Sequence, residues 1–228
     1  MWNERTEILI GKDGVKTLEN STVAIIGVGG VGGYACTMLA RAGIGNLILV
    51  DFDKVDETNI NRQIIANIDT VGKDKVFVLK EMIEKINPNC KITAICERFS
   101  AENAEKILKT QHIDYVVDAI DSTKDKIDLI FYCKENDIKI VSSMGAGNRF
   151  GIPQVEIVDI YKTSNDGLAK TIRKNLREKR VKKLDVAIAK EIPLKIDRKT
   201  QSVGSISYYP AIFGCVLSSF VINKLLEK

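Results

Sequence analysis

Short apolar runs alternate with longer amphipathic stretches along this chain. Thr22–Ile26, Leu47–Val50, Lys91–Cys96, Tyr115–Val117 and Lys139–Ser142 read as strands, being brief, mostly rich in β-branched residues and bounded by turn formers. Between them, Val31–Ala42, Lys73–Ile86, Ala101–Lys109 and Asp125–Glu135 carry helical spacing. The clearest case puts Val76, Leu79, Ile83 and Ile86 on one face and stops at Asn87-Pro88. This β-α-β-α order predicts an α/β fold, a Rossmann-like doubly wound sheet with mostly parallel strands. Ligands of such sheets sit beyond the carboxyl ends of the strands.

The pattern changes after Gly145-Ala146-Gly147. Gln154–Ile160 and Leu184–Ala189 are strand-like, Leu168–Arg180 is a basic helix, and Lys190–Ser202 is polar and irregular. Ile206–Tyr209 reads as a last strand, followed by a helix opened by Pro210 and running to Leu226. These segments predict an antiparallel C-terminal extension of the sheet. With no internal repeat or low-complexity linker, residues 1–228 are read as one domain, with a nucleotide-binding half at about 20–145 and a substrate or crossover half at about 146–228. The crossover segment itself falls at 185–205.

Composition narrows the class only modestly. A hydrophobic fraction of 45% and a charged fraction of 28% suit a soluble globular chain. The net charge of +4 does not by itself predict a nucleic-acid partner. Met1–Lys12 carries Glu4, Arg5 and Glu7 and does not resemble a secretory signal. Ala211–Ile222 is the longest apolar-leaning stretch and falls short of the ~20 residues of a membrane span. Cys36, Cys90, Cys96, Cys133 and Cys215 form no C-x-x-C pair, which fits free thiols in a cytoplasmic protein.

The chemistry starts at Gly27-Val28-Gly29-Gly30-Val31-Gly32-Gly33, directly after the first strand. Such a strand–turn–helix lets backbone N–H groups approach a phosphate with no Cβ in the way. Gly27-x-Gly29-x-x-Gly32 and Asp51, near the expected ribose-binding offset, match a dinucleotide fingerprint. An NAD-linked enzyme is therefore one reading. The next segment weighs against it: Asn59, Asn61 and Arg62 follow Asp51 and Asp53 closely, and Lys73 and Lys75 open the next helix. A triphosphate attacked at its α-phosphorus needs such cations, because negative charge builds there. The acidic segment Asp118–Asp121 is a candidate Mg²⁺ site, although Asp118 equally suits a backbone hydrogen bond after its strand.

This ordered set resembles the E1-like adenylating superfamily of the ThiF/MoeB/HesA type. The matching pieces are Arg5 to Gly11, the G-x-G-G-x-G loop, Asp51 to Gln63, Gly72 to Lys75, Ile86-Asn87-Pro88 and the aspartate of Ala119-Ile120-Asp121. The resemblance implies that Gly27, Gly29, Gly30 and Gly32 line a nucleotide, that Asp51 binds its ribose, and that Asp53, Asn59, Arg62 and Lys75 belong to the ATP site. It further implies Mg²⁺ on Asp121, a homodimer with Arg5 reaching into the partner's site, and catalysis by Arg62, Lys75, Asp121 and Arg5. The shared reaction is attack of a carboxylate on ATP, giving an acyl-adenylate and pyrophosphate.

The later residues indicate which carboxylate. There are no paired C-x-x-C motifs for structural zinc, and no cysteine in Leu184–Gly204 for thiol transfer. Cys133 and Cys215 are read as buried packing residues. Val158–Ser164 with Leu168-Ala169-Lys170, Asp121-Ser122 followed by Lys126, and Ser202–Pro210 resemble the TcdA-type (CsdL) branch, the tRNA threonylcarbamoyladenosine dehydratases. Gly167 and Val203 stand where that branch often has proline. The resemblance implies ATP-dependent cyclisation of N6-threonylcarbamoyladenosine (t⁶A) at position 37 of tRNA, with no enzyme thiol, and admits a sulfur-relay partner of the cysteine desulfurase/SufE-like kind. The alternatives are an activator of a ubiquitin-like or sulfur-carrier C-terminus and a nucleotide-sensing tRNA-binding module.

The basic stretch supplies a separate argument. Lys170, Arg173, Lys174, Arg177, Lys179, Arg180, Lys182 and Lys183 crowd together with one acid, Glu178. Like charges at helical spacing repel, so their clustering suits a phosphate-facing surface. Lys170, Arg173, Lys174, Arg177 and Arg180 are the candidate tRNA contacts; a solvated helix face is the competing reading.

Overall fold

The computed structural model describes residues 2–109, 111–196 and 203–227. Seven strands form one sheet: β1 Thr22–Ile26, β2 Asn46–Val50, β3 Lys91–Ile95, β4 Tyr115–Asp118, β5 Ile140–Ser143, β6 Val155–Asp159 and β7 Asp185–Ala189. Their order across the sheet is β3-β2-β1-β4-β5-β7-β6. All neighbours are parallel except β6 and β7, which pair antiparallel at one edge. The chain reverses direction across the sheet between β1 and β4, and the ligand crevice of a doubly wound sheet lies at that switch point.

Alternation within the strands divides the core. Val23, Ile25, Leu47, Leu49, Val117 and Val141 face one layer, with α2 (Gly32–Ala42), α3 (Lys75–Ile86) and α7 (Tyr208–Leu226). Ala24, Ile26, Ile48, Val50, Val116 and Ile140 face the other, with α4 (Ala104–Leu108), α5 (Thr123–Glu135) and α6 (Gly167–Glu178). With both faces covered, the central strands read as continuous apolar runs.

Two elements differ from expectation. Ile206–Tyr209 is no strand: α7 begins at Tyr208, so Pro210 falls within its first turn, where a missing N–H costs nothing. Tyr209, Phe213, Leu217, Val221 and Leu225 then recur every fourth residue and are buried. This helical period overrides the β-propensity of the Ile-Ser-Tyr-Tyr segment. α7 passes a length-and-composition test for a membrane span, unlike the shorter stretch singled out above, but that stripe packs it into the core. The second difference is an N-terminal helix, α1 (Glu4–Asn20), interrupted at Gly11, where φ is 75°. The polar segment predicted at Lys190–Ser202 is only partly described, and residues 197–202 lie outside the described residues.

Candidate active site: a cavity at the strand C-termini

A cavity of about 370 Å³ opens beyond the C-terminal ends of the strands. Gly27, Gly29, Gly30, Asp51, Asp53, Arg62, Lys75 and Asp121 all line it. These residues are scattered over almost a hundred positions. Parallel strand order gathers them, because each follows a strand or opens the next helix.

The glycine loop has two sterically fixed positions. Gly27 adopts φ 88°, and a Cβ there would lie 2.7 Å from the Ala119 carbonyl oxygen. At Gly32 a Cβ would lie 1.8 Å from the Gly27 carbonyl oxygen. Gly32 therefore lets α2 pack onto the loop and does not line the cavity itself. Asp51 anchors the loop from β2: one carboxylate oxygen accepts from the Val28 N–H at 2.8 Å, the other from the Asp53 N–H at 2.9 Å. Burial raises the Asp51 carboxyl above its ordinary pKa, and the two backbone bonds and Lys75 only partly oppose that.

Lys75 is the first residue of α3 and is nearly buried, with Nζ 2.8 Å from Asp53 Oδ2. Arg62 is half-buried; its Nη1 donates to the Thr58 carbonyl and to Asn61 Oδ1 at 2.7 and 2.9 Å. Asn59 does not line the cavity. Its Oδ1 accepts from the Asp56 N–H at 3.1 Å, so it closes a capping box that shapes the loop carrying Arg62. Arg5 is exposed on α1 and also lies outside the cavity lining.

The two candidate acids near β4 separate cleanly. Asp118 is fully buried, receiving Lys126 Nζ at 2.9 Å, the Ser142 hydroxyl at 2.5 Å and the Ile120 N–H at 3.1 Å. It holds the β4 turn together, and breaking such a buried ion pair costs about 3–5 kcal/mol. Asp121 is exposed and lines the cavity, so of these two acids it is the one that could hold a metal there.

Several residues of the site were not foreseen. Arg98, after β3, lines the cavity, donates from Nε to Asp125 Oδ2 at 2.8 Å and covers the Phe52 ring at 5.5 Å. Gln63 is buried at the cavity edge, and its side-chain carbonyl has no protein partner among the described residues. Leu168, from the first turn of α6, and Pro210 of α7 complete the wall. The cysteines need one correction. Cys133 is buried, its thiol pushed up to about 12 by desolvation, whereas Cys215 is exposed on α7.

The basic residues of α6 are not equivalent. Arg173 donates to the Thr163 carbonyl at 3.0 Å and to its hydroxyl, and Arg177 covers the Tyr161 ring at 5.7 Å. Lys170 and Lys174 are exposed on the same side of the helix. Arg180 is exposed just past the helix, with φ 57°.

Residues 4–228 match the ThiF family. A tRNA threonylcarbamoyladenosine dehydratase from Bacillus subtilis is 39% identical over 98% of this chain and 94% of its own length. The Haemophilus influenzae enzyme of the same name is 36% identical, covering 95% and 90%. The crystal structure of the E. coli dehydratase in complex with ATP superposes with a TM-score of 0.91 at 34% identity, over 98% of this chain and 94% of that one. With the family model spanning nearly its whole length, the chain belongs to the ThiF family.

Proposed function

We propose that this protein is an ATP-dependent tRNA threonylcarbamoyladenosine dehydratase. The observation that carries the reading is that Gly27, Gly29, Gly30, Asp51, Arg62, Lys75 and Asp121 line one and the same cavity. It occurs in a chain 39% identical, over 98% of its length, to a dehydratase of that name. The threonyl carboxylate of t⁶A attacks the α-phosphorus of ATP and pyrophosphate leaves. The carbamoyl oxygen of the same side chain then attacks the acyl carbon, AMP leaves, and a carbamoyl N–H gives up its proton to solvent as the ring closes. The net change is loss of one water from the nucleoside, and no enzyme thiol takes part.

The protein's part is orientation and charge. The glycine loop presents backbone N–H groups to the phosphates. Asp51 would accept the ribose hydroxyls. Arg62 and Lys75 offset the charge that builds at the α-phosphorus, where fixed donors in a closed site act most strongly. Mg²⁺, when bound, neutralises phosphate oxygens, and Asp121 is the residue that would hold it. Exposed Lys170 and Lys174, with Arg180, would meet tRNA phosphates. A homodimer with Arg5 donated in trans, a cytoplasmic setting and a sulfur-relay partner complete the proposal.

Pyrophosphate release from ATP tests it, with tRNA containing t⁶A, tRNA lacking it, and a carrier protein ending in Gly-Gly offered in parallel. Release only with the t⁶A tRNA, together with loss of one water from its nucleoside by mass spectrometry, is expected. Turnover with the carrier protein and none with the tRNA would replace this reading by a carrier-protein activator.

A further inference from the structure

Arg149 lies on the loop joining β5 to β6, yet only 4% of it is exposed. It does not line the cavity. Its Nε donates to the Gly145 carbonyl at 3.0 Å, its Nη2 to Asp166 Oδ2 at 2.9 Å, and its Nη1 to the Glu191 carbonyl. Each partner belongs to a different working segment. Gly145 is cavity wall. Glu191 stands just past β7, inside the segment read as the crossover, 185–205. Asp166 caps α6, its Oδ1 accepting from the Ala169 N–H at 2.8 Å. The cap also rests directly on the wall, since a Cβ at Gly145 would lie 2.9 Å from Asp166 Oδ2. Two residues on, Leu168 itself lines the cavity. The helix carrying Lys170 and Lys174 therefore starts in the nucleotide cavity wall.

A buried guanidinium is stable only while its fixed fork of donors stays paired. The Gly145 wall, the α6 cap and the strand exit at Glu191 consequently cannot shift independently; displacing one breaks a charged hydrogen bond or drags the others. Close-packed interiors transmit such shifts. We infer that Arg149 is a positioning residue that couples nucleotide binding in the cavity to the RNA-facing helix α6. This rests on the function proposed above for the tRNA half of the statement. The coupling itself is a property of the fold and ATP alone.

Both halves are measurable on the full chain and on Arg149→Met and Asp166→Asn. The second variant keeps an acceptor for the Ala169 N–H while removing the ion pair. In the unaltered protein, ATP should slow amide hydrogen exchange at the start of α6, residues 167–171. Both variants lose that slowing while holding ATP affinity within about twofold, and their KM for t⁶A tRNA rises about fivefold or more, the lower end of typical site-to-site coupling. The melting temperature falls in either case because a buried ion pair is lost, but a residue that merely supports the fold would move both substrates' KM values together. If Arg149→Met fails to fold, Asp166→Asn decides. Unchanged α6 protection in the variants, absence of ATP-linked protection in the unaltered protein, or an unchanged tRNA KM would each overturn the inference. Failure of the unaltered protein to cyclise any tRNA would strike at the proposed function instead, leaving the exchange result to judge the coupling.

Discussion

Lys75 and Asp53 form an ion pair of 2.8 Å in which the ammonium is almost buried and the carboxylate is half exposed. Lys75 also opens α3, where the helix dipole disfavours a cation. Asp53 offsets that, and the Lys75 N–H donates to the Asp53 carbonyl at 3.0 Å, so side chain and backbone fix the ammonium before any phosphate arrives. Lys75→Ala should lower pyrophosphate release by about 10²–10³-fold, as removal of a donor to developing charge does. The melting temperature should change little, because Asp53 keeps access to water. A near-normal rate would remove Lys75 from the catalytic set.

Gly32 makes a prediction about the fold instead of the chemistry. A methyl group there would sit 1.8 Å from the Gly27 carbonyl oxygen, backbone that cannot move without opening the loop. Gly32→Ala should therefore destabilise by about 1–3 kcal/mol or more, in the manner of an overpacked core, and weaken ATP binding with it. Denaturant titration alongside ATP affinity checks this; an unaltered midpoint would mean that α2 can shift away from the loop at no cost.

Much of this arrangement is legible in the chain itself, for physical reasons. β1, β2, β4 and β5 are buried on both faces, so they stand out as apolar runs, and the glycine loop is dictated by a contact too close for any Cβ. α1 is invisible because it buries only Val15 and Leu18 and is broken at Gly11. Asn59 and Asp118 fall in the right motifs, but their contacts are internal: one closes a loop cap and the other meets Lys126. Arg98 and Arg149 are hidden for the opposite reason. Their partners, Asp125 and Asp166, are brought near by strand order and helix placement, which local pattern does not encode.

Asp51 gives the nucleotide site a pH dependence. Its carboxyl is raised by burial, so it takes up a proton at a higher pH than an ordinary carboxylate as the solution is acidified. The folded state binds that proton more readily than the unfolded chain, so this group's contribution to stability is present in acid and lost as pH rises through its folded pKa. ATP affinity should run the opposite way, because on the proposed reading the ionised form is the one that would accept the ribose hydroxyls. Acidification should weaken ATP binding earlier than an unperturbed carboxylate would allow, and Asp51→Asn should flatten the profile at lower affinity. Calorimetric titration with ATP from neutral to mildly acidic pH measures it; an unchanged profile in Asp51→Asn would assign the dependence to another group.

Asp121 is exposed in the cavity, while Asp118 is consumed by Lys126 and Ser142. The two acids should therefore fail differently. Asp121→Ala should keep the melting temperature and raise the Mg²⁺ concentration needed for half-maximal turnover, since Mg²⁺ depends on few protein carboxylates. Asp118→Ala leaves Lys126 buried without its counter-charge and should lose about 3–5 kcal/mol of stability. Melting curves and Mg²⁺ titrations together separate them, and an Mg²⁺ requirement unmoved by Asp121→Ala would place the metal elsewhere.

The basic helix yields its sharpest test from residues that sequence alone does not rank. Arg173 is tied to Thr163 and Arg177 covers Tyr161, so reversing either charge would disturb the helix as well as any RNA contact. Lys170 and Lys174 are exposed one turn apart on one side of α6, which makes them the cleaner probes. Lys170→Glu and Lys174→Glu should each weaken tRNA binding and reduce the steepness of its salt dependence by roughly one per lost phosphate contact. ATP affinity should stay put, because neither residue lines the cavity. Filter binding of tRNA across a salt series reads the slope directly. If both variants bind with the original slope, α6 is a solvated face and the RNA must approach the cavity from another side.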